Sequence, residues 1–222
     1  MDTADTIRHL LISALPILLA ITFHEVSHGY VAHRLGDPTA KMLGRLTLNP
    51  IPHIDLFGTI ILPLMLYYLT DGRFVFGYAK PVPINPMNFK NPKKDMAISA
   101  AAGPVTNILL AVLSFIVWKL VLIPLAGLSP EIVGEKVLRP LTMIFQSSII
   151  VNVILASFNM IPIPPLDGGR VLTGLLPYKQ AAAFSRIEPF GFIIVLVLIY
   201  SGIANYIIMP FIVFFLKLFQ IY

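Results

Sequence analysis

The chain reads as an all-α polytopic membrane protein. Of its 222 residues 57% are hydrophobic and only 12% charged, and the apolar residues fall in runs long enough to cross a bilayer. Soluble domains carry roughly 25% charged residues, and a mean hydropathy of +0.83 lies on the membrane side. The expected architecture is a helical bundle of about four to six transmembrane segments, with one re-entrant segment and a short β-hairpin near the candidate site. A single domain is expected over 1–222.

Leu10 to Ala32 is the first apolar run, broken only by Pro16 and His24-Glu25-Val26-Ser27-His28. Asp2 and Asp5 stand where a cleavable signal would be basic, so the run is expected to remain as a helix. Gly36-Asp37-Pro38 ends it, and 37–55 reads as a loop or short hairpin. Leu56 to Leu69 is apolar, but about 14 residues suit a re-entrant segment better than a crossing. Phe74 to Tyr78 is aromatic and β-branched and leads into Pro81-Val82-Pro83, which limits it to an edge strand or hairpin.

Met96 to Leu125 is the second clear span, Ser129 to Arg139 a polar loop, and Leu141 to Met160 the third span. Pro162, Pro164 and Pro165 then break the helix, and Gly168-Gly169 permits a sharp turn. Membrane helices are expected over 189–220. The apolar run Phe190 to Leu218 fits one tilted span or two helices broken at Ser201-Gly202.

The chemistry is concentrated at 24–28. In an HExxH motif on a helix, the histidines at i and i+4 share a face and can reach one metal ion. Glu25 lies about 100° further round, where it can take a proton from a water without occupying the metal. Ionisable groups inside a spanning helix are costly and usually mark function. A polar face lining a helix contact or a water-filled cavity is the plainer alternative.

Catalytic zinc usually takes three protein ligands. The sequence has no cysteine, so no thiolate site or disulfide framework is possible. His33 lies on a different face from His28, and His9 and His33 read as interfacial. His53 precedes Asp55 in a loop and reads as a surface or interfacial residue. Asp167 lies on irregular backbone, which at membrane depth is tolerated only where it lines a cavity or is buried in protein. A helix N-cap for 168–176 is the plainer alternative, and the two roles can coexist.

The chain resembles the site-2 protease family of intramembrane zinc metalloproteases. The matching residues are His24-Glu25-Val26-Ser27-His28, Gly103-Pro104-Val105-Thr106-Asn107, and Asn159-Met160-Ile161-Pro162-Ile163-Pro164-Pro165-Leu166-Asp167-Gly168-Gly169-Arg170, in the family's order over roughly 20–175. The resemblance implies one Zn2+ per chain, held by His24, His28 and Asp167, with Glu25 as general base. It further implies that Asn107 and Asn159 bind or orient substrate, Asn107 also being a candidate oxyanion donor. The chain looks like a minimal, core-only form, without the inserted domains of some members.

These readings make a demand on topology. His24 and His28 lie toward the end of the first span, and Asp167 just past the end of the 141–160 span. The two helices must therefore run parallel, which requires 56–69 to be re-entrant. With Lys217 left uncounted, that topology puts eleven of the lysines and arginines on one side and four on the other, against nine and six if 56–69 crosses. Charge bias thus sets the metal near the cytoplasmic face of a multi-pass protein, expected in the plasma membrane.

The expected partners are the lipid bilayer and single-span transmembrane protein substrates. The segment 74–85 could pair with an extended substrate, or be a plain structural hairpin. A net charge of +5, with no basic cluster alternating with aromatics, argues against nucleic acid. A metal-ion transporter would use several weak sites along a path and would not need Glu25. A non-catalytic client-helix-binding protein would be expected to have lost Glu25 or a ligand.

Overall fold

A computed structural model describes residues 3–71 and 77–221. Helix α1 spans Thr3–Arg34 and contains the whole of the expected first span. The next apolar helix, α2, runs Leu56–Leu69. Two long helices follow, α3 (Pro92–Leu128) and α4 (Glu131–Asn159). The chain then forms α5 (Asp167–Leu175), α6 (Tyr178–Ser185), α7 (Glu188–Tyr200) and α8 (Ile203–Leu218).

Among the described residues α3 and α4 are long and apolar enough to cross a membrane, and α6 with α7, bent by 68°, makes a third span if counted as one. The four to six segments expected are not shown by this count, which covers the described residues only. The apolar helices α2 and α8 fall short on length: the 16 residues of α8 reach about 24 Å against a hydrocarbon core of about 30 Å.

Two expectations need correction. No strand occurs among the described residues. Residues 77–85 form neither helix nor strand, and 74–76 of the expected hairpin lie outside the described residues. The polar loop expected over Ser129–Arg139 shrinks to Ser129-Pro130, because helix resumes at Glu131. The missed signal is proline spacing. Each π-helical turn, Leu56–Ile61, Trp118–Leu122 and Gly134–Leu138, precedes a proline by two residues. Pro63, Pro124 and Pro140 have no N–H for the carbonyls of Thr59, Leu120 and Lys136, and a locally widened turn absorbs each loss without ending the helix. The stretch from Phe190 to Leu218 resolves into two helices, broken where Gly202 adopts φ 77°.

Cross-helix hydrogen bonds give the helix directions. His24 of α1 pairs with Asn107 of α3, and His28 with Ser99, so α1 and α3 are antiparallel. Asn107 pairs with Asn152 of α4, and Ser114 with Ser148, so α3 and α4 are antiparallel too. Helices α1 and α4 therefore run parallel. The connection from 35 to 91 starts and finishes at the same end of the bundle, and α2 within it makes no net crossing. Its start is capped by Asp55, whose carboxylate accepts the Gly58 N–H at 2.7 Å.

The apolar core lies further along α3 and α4. Ala111, Trp118, Ile149, Val153 and Phe219 are buried together. Phe115, Phe145, Ile212 and Phe215 pack round them.

Candidate metal centre

His24 and His28 lie one helical turn apart on α1 and face α3. Each imidazole is held by its Nδ1. That of His28 donates to the Ser99 carbonyl at 2.7 Å, and Ser99 Oγ donates back to the His28 carbonyl at 3.0 Å. That of His24 lies 2.6 Å from Asn107 Oδ1. The Asn107 amide orientation follows from its other contacts: Nδ2 reaches the Ala20 carbonyl, which can only accept, at 3.3 Å. Oδ1 is then the acceptor, and His24 Nδ1 carries the proton. Both histidines are thus tautomers whose Nε2 presents a bare lone pair.

The two Nε2 atoms stand 3.1 Å apart. Asp167 Oδ2 lies 3.1 Å from one and 3.3 Å from the other. With both protons on Nδ1, no hydrogen bond can form inside this triangle, and Asp167 Oδ2 is buried without a donor. Three lone pairs converging in a buried place repel unless a cation lies between them. The spacing fits one: donors about 2.0–2.1 Å from a tetrahedral zinc stand about 3.3 Å apart. Two imidazoles and a carboxylate are also a ligand set that zinc accepts.

The local sequence makes this convergence possible. A Cβ on Gly103 of α3 would lie 2.4 Å from His28 Nε2 and 2.5 Å from His24 Cε1, so only glycine admits both rings. Asp167 is the first residue of α5, not its cap: the N-cap is Leu166, and no side chain caps this helix. The cap role weighed from sequence is therefore overturned. Gly168 and Gly169 let α5 start against the preceding linker, where Cβ atoms would meet Met160 O at 2.3 Å and Pro164 N at 2.2 Å.

Glu25, next to His24 on α1, is half-buried, and its Oε2 accepts the main-chain N–H of Val82 at 2.8 Å. Asn107 is fully buried, with Nδ2 donating to Ala20 O and to Asn152 Oδ1. Both its N–H bonds are used within the protein, which leaves none for substrate or an oxyanion. Its geometry is that of a group orienting His24. Asn159 ends α4, half-buried, with Nδ2 on the Leu155 carbonyl. His53 is buried, contrary to the surface reading, and its Nε2 faces the Thr47 carbonyl at 3.0 Å. It lies outside the cluster.

Sequence reasoning missed Asn152 and Ser99. Asn152 Nδ2 donates to the Ser148 carbonyl at 2.9 Å and carries the chain Asn107–Asn152–Ser148–Ser114 along α3 and α4. A polar residue in an apolar helix was the available signal. The backbone contact of Val82 leaves no such mark.

Comparison with known proteins agrees with this chemistry. The family described as Peptidase family M50 matches residues 12–137 and 128–202. Relatives include three whose names begin "Putative zinc metalloprotease". YwhC of Bacillus subtilis is 39% identical over 87% of this chain and 82% of its own. Rip2 of Mycolicibacterium smegmatis is 29% identical over 91% and 74%. MJ0611 of Methanocaldococcus jannaschii is 29% identical over 73% and 69%. No solved structure matches.

Proposed function

The chain belongs to Peptidase family M50, the site-2 protease family, and from that premise we propose that it is a zinc-dependent endopeptidase that cleaves transmembrane proteins within or near the bilayer. The observation that carries this is the convergence of His24 Nε2, His28 Nε2 and Asp167 Oδ2, with Glu25 next to His24 on the same helix.

His24, His28 and Asp167 would hold the zinc, which when bound supplies Lewis acidity toward a water and a peptide carbonyl. Glu25 takes the proton of the attacking water and delivers it to the leaving amine. Ser99 and Asn107 keep each imidazole in one tautomer and orientation, so that Nε2 stays a ligand. Asn159, at the end of α4 and half-buried, is the residue left to meet substrate main chain. A substrate helix must unwind to expose its peptide bond. The charge bias of the loops supports a site opening toward the cytoplasmic face of the plasma membrane.

The test uses detergent-purified wild type and Glu25→Gln with fluorescently tagged single-span proteins as substrates. Both forms carrying about one zinc per chain, with cleavage by wild type alone, is the expected result. Zinc-loaded wild type that cleaves none of the panel, together with zinc flux into liposomes unaffected by Glu25→Gln, would replace the endopeptidase with a transporter.

A further inference from the structure

From Gly77 to Asn85 the chain forms neither helix nor strand. Asn85 is extended, and Pro81, Pro83 and Pro86 bias the residue before each toward extended backbone, in which alternate residues turn their amides the same way. Tyr78 N–H donates to the Gly58 carbonyl at 3.0 Å and Lys80 N–H to the His53 carbonyl at 2.9 Å. Next in this series is the Val82 N–H, and its acceptor is Glu25 Oε2 at 2.8 Å. On the opposite edge Pro81 and Pro83 have no N–H, which makes that edge a poor template for a further strand. The ladder of inner contacts thus ends on the carboxylate of Glu25, the neighbour of His24 on α1.

Two features hold Val82 there. Gly29 lies one turn after Glu25 on the same face of α1. A Cβ at Gly29 would stand 2.7 Å from both Val82 Cγ1 and Leu46 Cδ2, so the bare position is what seats the buried Val82 against the helix. Asp37, buried just past α1, accepts the Asn85 N–H on Oδ2 at 2.7 Å and Asn88 Nδ2 on Oδ1 at 2.7 Å. Burial pushes the Asp37 carboxyl up, but the donors from Asn88, Thr39 and Asn85 outweigh it and hold the group below the ordinary carboxylate range. Val82 is therefore anchored on both sides, at Lys80 and at Asn85.

We propose that the Val82 main-chain N–H is a positioning group for the general base Glu25, and that Gly29 and Asp37 serve to place it. The proposal deepens the endopeptidase reading and rests on it. A glutamate side chain samples several rotamers, whereas a general base must stay within hydrogen-bond reach of the proton it takes. Fixing Oε2 by a backbone donor gives Oε1 one direction. A misplacement of about 1 Å costs on the order of 10²-fold in rate.

The test compares zinc-loaded full-length wild type with Gly29→Ala, Asp37→Asn and the double variant Gly29→Ala/Val82→Ala. In Asp37→Asn a donor meets a donor whichever way the amide turns. In both single variants kcat should fall by about tenfold to a hundredfold, with KM and zinc per chain roughly unchanged. The double variant keeps the N–H while removing the Val82 methyl groups, so that the new Cβ meets only the flexible end of Leu46 and the Ala40 methyl group at 3.0 Å, and it should regain most of kcat. Amide hydrogen exchange supplies a readout free of catalysis: Val82 is protected in wild type and exchanges faster in Glu25→Ala and Gly29→Ala. Unchanged kcat in both single variants, zinc lost in step with kcat, or Val82 exchange indifferent to Glu25→Ala each overturns the proposal. A protected Val82 in zinc-loaded wild type that cleaves nothing overturns the endopeptidase reading, and with it the role assigned here, while the contact itself stands.

Discussion

Helices α3 and α4 meet in two ways within a few turns of each other. Through Asn107–Asn152 and Ser114–Ser148 they meet by hydrogen bonds. Through Ala111, Trp118, Ile149 and Val153, with Phe219 behind them, they meet by apolar packing alone. The difference teaches what each contact can specify. In a bilayer, lipid tails are as apolar as the side chains, so apolar packing holds helices by fit rather than by exclusion of water. Buried amides have no such tolerance, because an amide turned away from its partner is left unpaired in a low-dielectric place. The polar seam therefore fixes the rotation and register of α3 and α4. Through Asn107 that register is passed to His24.

Breaking the polar side where it touches the ligands should have the largest effect. Gly103→Ala places a methyl group within 2.5 Å of both imidazoles, so it should yield protein with no bound zinc and no cleavage, read by metal analysis of the purified chain. On the apolar side, Trp118→Ala should lower stability by about 3 kcal/mol in detergent unfolding. Its zinc affinity should stay at the wild-type value, and a fall would show that the two regions are not separable. Asn107→Ala removes the acceptor that fixes the His24 tautomer. Zinc affinity should drop about 10- to 100-fold by chelator competition, with the fold retained.

The two regions were also unequally legible in sequence. His24, Glu25 and His28 could be read because helical spacing alone puts two imidazoles on one face. Asp167 stood out as a carboxylate on broken backbone, and its distance from His24 and His28 demanded a non-crossing α2, as the helix directions now require. Asn107 was legible as a site residue by resemblance, but its orienting geometry was not: whether an amide faces substrate or a histidine depends on the rotation of α3, which no local pattern encodes. Val82 acts through its main chain, so its side chain advertises nothing. Of the expected 74–85 hairpin the described part, 77–85, forms no strand, since Pro81 and Pro83 lack the N–H that a ladder needs. The helical 131–139 segment was hidden because its charges and Pro140 look like loop signals, although a widened turn can carry helix past a proline.

The far end of the seam gives the finest test. Ser114 Oγ lies 2.9 Å from Ser148 Oγ, and Ser148 in turn accepts from Asn152 Nδ2 on its carbonyl at 2.9 Å and its Oγ at 3.2 Å. Ser114→Ala removes one hydroxyl but leaves Asn152 both acceptors. If the seam acts as a set of separate pairs, the loss should be about 0.6 kcal/mol of stability, the usual worth of one interhelical hydrogen bond. Zinc affinity should then be roughly unchanged, since Asn107 still finds Asn152 in place. If zinc affinity falls about tenfold instead, the four side chains polarise and orient one another as a single unit. The polar contact would then extend the metal centre deep into the bundle, and the boundary between the two regions would lie at Ser114 rather than at Asn107.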